Sequence, residues 1–173
     1  KREIWIVSLA LVFILLLLVL GFYFLNNKSE NQIAFSPGDN MIRNGDFSNG
    51  ATDWFLYGTL PNGTASIEAG SLKISGYGFA MQKLPSFNNA VDKNFTLTFR
   101  AQNSGADTGV YIQDLSSMEF NAWVFPNSSD VVDYSLNFSF PKDGEYAIFI
   151  ATMPSDKEKN TSIVYDDFKI TLS

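Results

Sequence analysis

Residues Ile4 to Leu25 read IWIVSLALVFILLLLVLGFYFL, without charge, proline or amide and with only Ser8 and Gly21 to interrupt the apolar run. At ~1.5 Å of rise per residue, roughly 22 helical residues reach ~33 Å, enough to cross the hydrocarbon core of a bilayer. Inside lipid each backbone N–H and C=O must find a partner within its own segment, so a helix is the expected conformation. A soluble core helix would carry a polar face, and no residues here supply one. The run exceeds the ~7–15-residue core of a secretory signal, and its exit, FYFLNNKSE, lacks a small-x-small cleavage site. Residues 1–25 therefore read as an uncleaved, single-pass signal-anchor. Lys1 and Arg2, against Lys28 alone on the far side, favour a cytoplasmic N-terminus and an extracytoplasmic remainder. Trp5 near one end, and Phe22 and Tyr23 near the other, suit the interfacial zones.

Residues 26–39, NNKSENQIAFSPGD, are polar and end on a turn signal, which reads as a short tether. About 135 residues remain, one domain with enough chain for a core. A formal net charge of −6 argues against a nucleic-acid partner. The chain has no cysteine and no histidine, which excludes disulfides, thiolate metal sites, ordinary zinc catalysis and His-dependent nucleophiles.

From Asn40 onward, short apolar alternations are broken by Asn, Asp, Gly and Ser, with no helical repeat. In Asn94 to Arg100 (NFTLTFR), Phe95, Leu97 and Phe99 face one way. Val131 to Phe140 repeats the scheme, with Val132, Tyr134, Leu136, Phe138 and Phe140 inward. Tyr146 to Thr152 is apolar on both parities, as a central strand would be. Ile163 to Leu172 (IVYDDFKITL) places Val164, Phe168, Ile170 and Leu172 on one face. Weaker strands are expected at Trp54–Tyr57, Thr64–Glu68, Ser71–Ser75, Phe79–Leu84, Gly109–Gln113 and Ala122–Val124, with turns at Pro61-Asn62-Gly63, Ala69-Gly70 and Asp143-Gly144. Eight or nine short strands at this spacing point to an all-β antiparallel sandwich over residues 40–173.

Asn40 to Tyr57, NMIRNGDFSNGATDWFLY, resembles the opening of CenC-like carbohydrate-binding modules, N-hydrophobic-x-x-NGDFE-x-G-x-x-x-W. The closing strand IVYDDFKITL resembles their hydrophobic-x-DD-hydrophobic ending, FTLTFRAQ their mid-chain strand, and FAMQKL their strand carrying a glutamine. The resemblance spans about Asn40 to Leu172 and implies a galactose-binding-like jelly roll. The Glu that often follows the GDF phenylalanine is Ser48 here, which removes one potential acidic ligand. In such modules the first and last strands lie close and often hold a structural Ca²⁺. Carried over, the ligands are Asp46 and Asp166, with Asp167 a lesser candidate. Alternation also points Asp166 inward, where a carboxylate needs a cation, a set of donors, or a bulge that turns it out. The alternative is that both aspartates cap turns through backbone N–H groups.

A sugar site needs an aromatic face flanked by amides or carboxylates. With Val110 and Ile112 inward, Tyr111 and Gln113 occupy the other face; Trp123 follows a turn, and Gln82 lies in the FAMQKL strand. These four are the candidate glycan ligands, against the alternative that Tyr111 and Trp123 are core aromatics. Trp54 is assigned to the core. Asp114 and Glu119 lie close in sequence but nothing gives them separate acid and base roles, so no enzyme is expected. Sequons start at Asn27, Asn62, Asn94, Asn127, Asn137 and Asn160, against about two or three by chance. Asn27 lies too near the bilayer to be a good acceptor, and the other five suit an extracellular glycoprotein surface. Two functions follow: a membrane-anchored, cell-surface glycan-binding module, or a structural subunit whose apolar helix self-associates or packs with other membrane subunits, as in a pilin-like filament.

Overall fold

The computed structural model of the chain describes residues 36–86, 90, 91, 93–153 and 161–173, and of residues 59–62 and 153 only the backbone. The expected membrane helix Ile4–Leu25, residues 26–35 of the tether, and Asn27 and Asn160 lie outside the described residues, as does the side chain of Asn62. Among the described residues no helix is long and apolar enough to cross a membrane.

Eight strands form in the order β1 (Phe55–Glu68), β2 (Ser71–Lys83), β3 (Asn94–Asn103), β4 (Asp107–Asp114), β5 (Phe120–Val124), β6 (Val132–Ser139), β7 (Tyr146–Met153) and β8 (Ser162–Leu172). Hydrogen bonding runs β5-β4-β7-β2-β8-β3-β6, with β1 along the other edge of β2. β2 changes partner half-way, pairing with β8 over Leu72–Ser75 and with β7 over Gly78–Lys83. β1 follows β2 through both halves. Two sheets result, β5-β4-β7-β2-β1 and β6-β3-β8-β2-β1, packed as a jelly-roll-like sandwich in which the bent β1–β2 hairpin belongs to both.

The four short strands expected between Trp54 and Leu84 are thus two long ones. The turn expected at Pro61-Asn62-Gly63 is an excursion inside β1: Gly58 pairs with Gly78 and Gly63 with Gly76, so residues 59–62 stand against Tyr77 alone. At Gly63 a Cβ would collide with the Tyr77 backbone, so the crossing of the two chains needs glycine.

Alternation builds the core. Phe95, Leu97, Phe99 and Ala101 of β3 meet Val110 and Ile112 of β4 and Ile148 and Ile150 of β7, all buried. Each large side chain so buried contributes about 1.5–3 kcal/mol. β7 lies between β4 and β2, which accounts for its apolar residues on both parities.

On β8 the expected face is wrong for Val164. The core residues are Ile163 and Tyr165, then Phe168 and Ile170, because a bulge resets the alternation between them. Thr98 pairs with Lys169 but Arg100 with Asp166, which leaves β8 one residue longer, and Asp167 takes up the turn at φ 55°. Asp166 is thereby rotated out of the core.

Candidate functional site

The outward face of the β5-β4-β7-β2-β1 sheet is aromatic. With Val110 and Ile112 in the core, Tyr111 must face outward, and register carries that parity across the sheet. Phe55 is opposite Met81, Met81 opposite Phe149, Phe149 opposite Tyr111, and Tyr111 opposite Trp123. One straight row therefore crosses five strands. Rings from both sides join it into a chain of contacts. Centroid separations are 5.1 Å for Tyr57–Phe79, 5.2 Å for Phe79–Phe149, 6.4 Å for Phe149–Tyr111 and 4.7 Å for Tyr111–Phe120, all within aromatic contact range. Phe125 meets Tyr111 edge-on at 6.0 Å.

The middle of this surface is wedged tight, with Phe79 only 6% exposed, while its margins are open: Tyr57 is 39%, Phe120 44%, Trp123 53% and Phe125 57% exposed. An outward sheet face ordinarily alternates to polar side chains, so exposed rings in such number mark an interaction surface. Tyr111 lies back over Gly109, where an added Cβ would collide with the phenol ring. Burial pushes the Tyr111 hydroxyl pKa up.

Of the four residues expected to contact a sugar, Tyr111, Gln113 and Trp123 share this face. Gln113 is held there by its Nε2, which donates to the Met118 carbonyl at 3.2 Å. Gln82 does not join them. It has the parity of Ala80, points between the sheets and is 2% exposed. Its Oε1 accepts from the Arg43 N–H and its Nε2 donates to the Arg43 carbonyl, both at 2.8 Å. The amide behaves as one rung of a ladder that ties the segment before β1 to β2. Phe55, Tyr57, Phe79, Phe149, Phe120 and Phe125 went unnoticed in the sequence, although Phe79 and Phe149 sit in stretches apolar on both parities.

At the β4–β5 turn, Asp114 is buried and accepts from Lys142 Nζ at 2.7 Å and from the Ser116 hydroxyl and N–H, each at 2.7 Å. Burial alone would raise its pKa, but the Lys142 ammonium and the Ser116 and Ser117 donors outweigh it and hold the carboxyl well below the usual range. Lys142 Nζ also donates to Ser116 Oγ at 3.1 Å, superficially a Ser–Lys pair. Asp114 pushes the Lys142 pKa up, so the amine stays protonated and cannot serve as a base.

The opening motif is architectural. Asn44, at φ 48°, donates from Nδ2 to the Gly50 and Thr52 carbonyls, both at 2.9 Å, and accepts from the Asn49 N–H at 3.0 Å. Its own carbonyl accepts from Trp54 Nε1 at 3.0 Å. Trp54 is buried, as expected, against Phe47 and Phe168. Gly45 packs so closely on the Phe168 carbonyl that a Cβ could not be added.

Asp46 is exposed and accepts from the Ser48 N–H and hydroxyl at 3.2 and 3.0 Å, the turn cap that the sequence left as an alternative. These bonds lower its pKa. Asp166 and Asp167 pair with Arg100. Among the described residues no three acidic side chains converge as a metal site. Ca²⁺ takes six to eight oxygens, and a donor set already holding a guanidinium does not fit it.

The sequon residues Asn94, Asn127 and Asn137 are exposed. Asn94 pairs with Ser139 and Thr96 with Asn137, so the two strand-borne sequons lie head to tail across β3 and β6, on the sheet away from the aromatic row. Thr96 Oγ1 donates to Asn137 Oδ1 at 2.9 Å.

No family model and no curated protein matches the chain. Solved structures do. The enzymatically active domain of bacteriophage CBA120 tailspike protein 4 is 17% identical at a TM-score of 0.61, over 80% of this chain but 22% of the other, so this chain spans about a fifth of that protein. A family 61 carbohydrate-binding module in complex with β-1,4-galactotriose is 11% identical at a TM-score of 0.58, over 79% of this chain and 100% of the module. The N-terminal cellulose-binding domain of Cellulomonas fimi β-1,4-glucanase C is 15% identical at a TM-score of 0.57, over 81% and 98%. The fold is that of carbohydrate-binding modules. At these identities the likeness is one of fold.

Proposed function

We propose that the chain is a non-catalytic glycan-binding module of CenC-like type, displayed outside the cell from a single membrane anchor at Ile4–Leu25. The observation that carries this reading is the cross-strand row Phe55, Met81, Phe149, Tyr111 and Trp123 with its flanking rings. Sugars offer flat C–H faces that pack on aromatic rings, and their hydroxyls take hydrogen bonds at the margins. Five strands at ~4.8 Å spacing make the row about 19 Å long, more than one pyranose ring fills. An extended oligosaccharide is therefore the ligand class, and a row without charged members suits a neutral one. Fold alone does not fix function, but the neighbours named for cellulose and β-1,4-galactotriose agree with this reading. Asp114 has the inward parity of Val110 and Ile112 and is engaged by Lys142, so it offers this face no free carboxylate for hydrolysis. Glycans on Asn94 and Asn137 would project from the other sheet and leave the row open.

The test is a glycan-array screen of the full chain in detergent, beside Trp123→Ala. Trp123 is half exposed, so its loss spares the fold. Wild type is expected to bind neutral oligosaccharides, and the variant to bind about 3- to 10-fold more weakly, as the loss of one aromatic contact implies. A folded protein that binds no glycan and sizes as a defined assembly in detergent would transfer the exposed rings to the structural-subunit reading.

A further inference from the structure

The calcium site implied by the sequence resemblance would join the opening motif to the closing strand. In this chain a side chain supplies the cation at the closing strand. The β8 bulge sets Asp166 and Asp167 side by side, and register puts Arg100 of β3 opposite Asp166. Arg100 Nη2 lies 3.2 Å from Asp166 Oδ2 and 2.6 Å from Asp167 Oδ2. Ser71 of β2 donates its hydroxyl to Asp166 Oδ2 at 3.4 Å, and the Asp167 N–H donates to Asp166 Oδ1 at 2.8 Å. Three strands thus meet at the Asp166 carboxylate. At the opening motif Asp46 Oδ1 caps a turn by accepting from Ser48, and Ser48 itself stands where the resembled family often has glutamate.

We infer that Arg100 replaces the structural metal in this chain. A planar, permanently charged guanidinium can bridge two carboxylates, and a divalent ion placed among them would be repelled by it. The bulge needs a positive charge because it brings two carboxylates together on adjacent residues, and Arg100 provides one without dissociating. The ion pairs are partly exposed, so their contribution is screened by salt.

The test is thermal unfolding of the full chain in detergent, as wild type and as Arg100→Gln, each in Ca²⁺ and in EDTA. The wild-type Tm is expected to be the same in both, since an ion that does not bind the folded state cannot stabilise it. Arg100→Gln is expected to melt several degrees lower in EDTA, and Ca²⁺ is expected to return part of that loss by entering the vacated carboxylate pair. A wild-type Tm that falls in EDTA and recovers with Ca²⁺ overturns the inference. So does an Arg100→Gln variant that melts with the wild type. The wild-type chelator result stands even if the variant does not fold.

Discussion

Asn44→Ala isolates what the opening motif contributes. Asn44 donates two hydrogen bonds, to the Gly50 and Thr52 carbonyls, and accepts one from the Asn49 N–H. At about 1 kcal/mol each these total about 3 kcal/mol, and water reaching the exposed end of the loop returns roughly 1. Asn44 also sits at φ 48°, a left-handed conformation that asparagine tolerates and alanine resists by about 1 kcal/mol. The sum is a loss of about 3 kcal/mol, or a fall in Tm of about 10 °C for a domain of this size. Asn44→Gly removes the same hydrogen bonds but not the backbone preference, and is expected to recover about 1 kcal/mol of the loss. Asn44→Asp keeps the acceptor yet sets a carboxylate against two carbonyls, and should be no better than alanine. Urea unfolding followed by near-ultraviolet circular dichroism reads both stability and the packing of Trp54. An alanine variant within 1 kcal/mol of wild type, or a glycine variant no better than alanine, would refute the hydrogen-bond accounting.

Asp114→Asn is expected to cost about 2–3 kcal/mol near neutral pH by removing a buried, ion-paired carboxylate. Because the folded pKa is depressed, that stability is present above the unfolded value of about 3.9 and is lost as pH falls through it toward the folded value. The gap in Tm between wild type and variant should therefore close on acidification below about pH 4, and a constant gap counts against the assignment. Gly109→Ala should displace the Tyr111 ring while deleting no aromatic group, weakening glycan binding about as much as Tyr111→Ala, or roughly 2- to 10-fold. Unchanged affinity on the array that wild type binds would show that Tyr111 lies outside the contact. Gln82→Leu should lower stability by about 2 kcal/mol through the orphaned Arg43 backbone while leaving affinity intact. A selective loss of binding would return Gln82 to the ligand set.

Period-two alternation was enough to place Phe95, Leu97 and Phe99 in the core and Tyr111 outside it, because β3 and β4 keep one parity over those residues. On β8 the same rule broke at Asp166 and Asp167, where one extra residue inverts the faces and nothing in the residue types announces it. In FAMQKL the rule met an ambiguity it could not resolve. Phe79 and Met81 look like the core face by hydrophobicity, yet Ala80 and Gln82 take it. The inter-sheet space accepts a small side chain, and the amide is satisfied by the Arg43 backbone. Phe79 was hidden as a member of the aromatic surface for that reason. The ends of β1 and β2 read as separate strands because glycines at their crossing resemble loop residues, while the close approach that demands them is tertiary. Tyr111 and Trp123 could be singled out; that they are cross-strand neighbours needed the register.

The β1–β2 hairpin has a consequence for how the sandwich comes apart. Its two strands supply rungs to both layers, so neither layer can open while the other stays closed without tearing the same hairpin. Local unfolding is therefore expected to stop at the outer strands β5 and β6, with the β2 amides exchanging only through global opening. The aromatic row and the Arg100 ion pairs, on different sheets, then belong to one cooperative unit. A substitution that weakens either should register in hydrogen exchange at both.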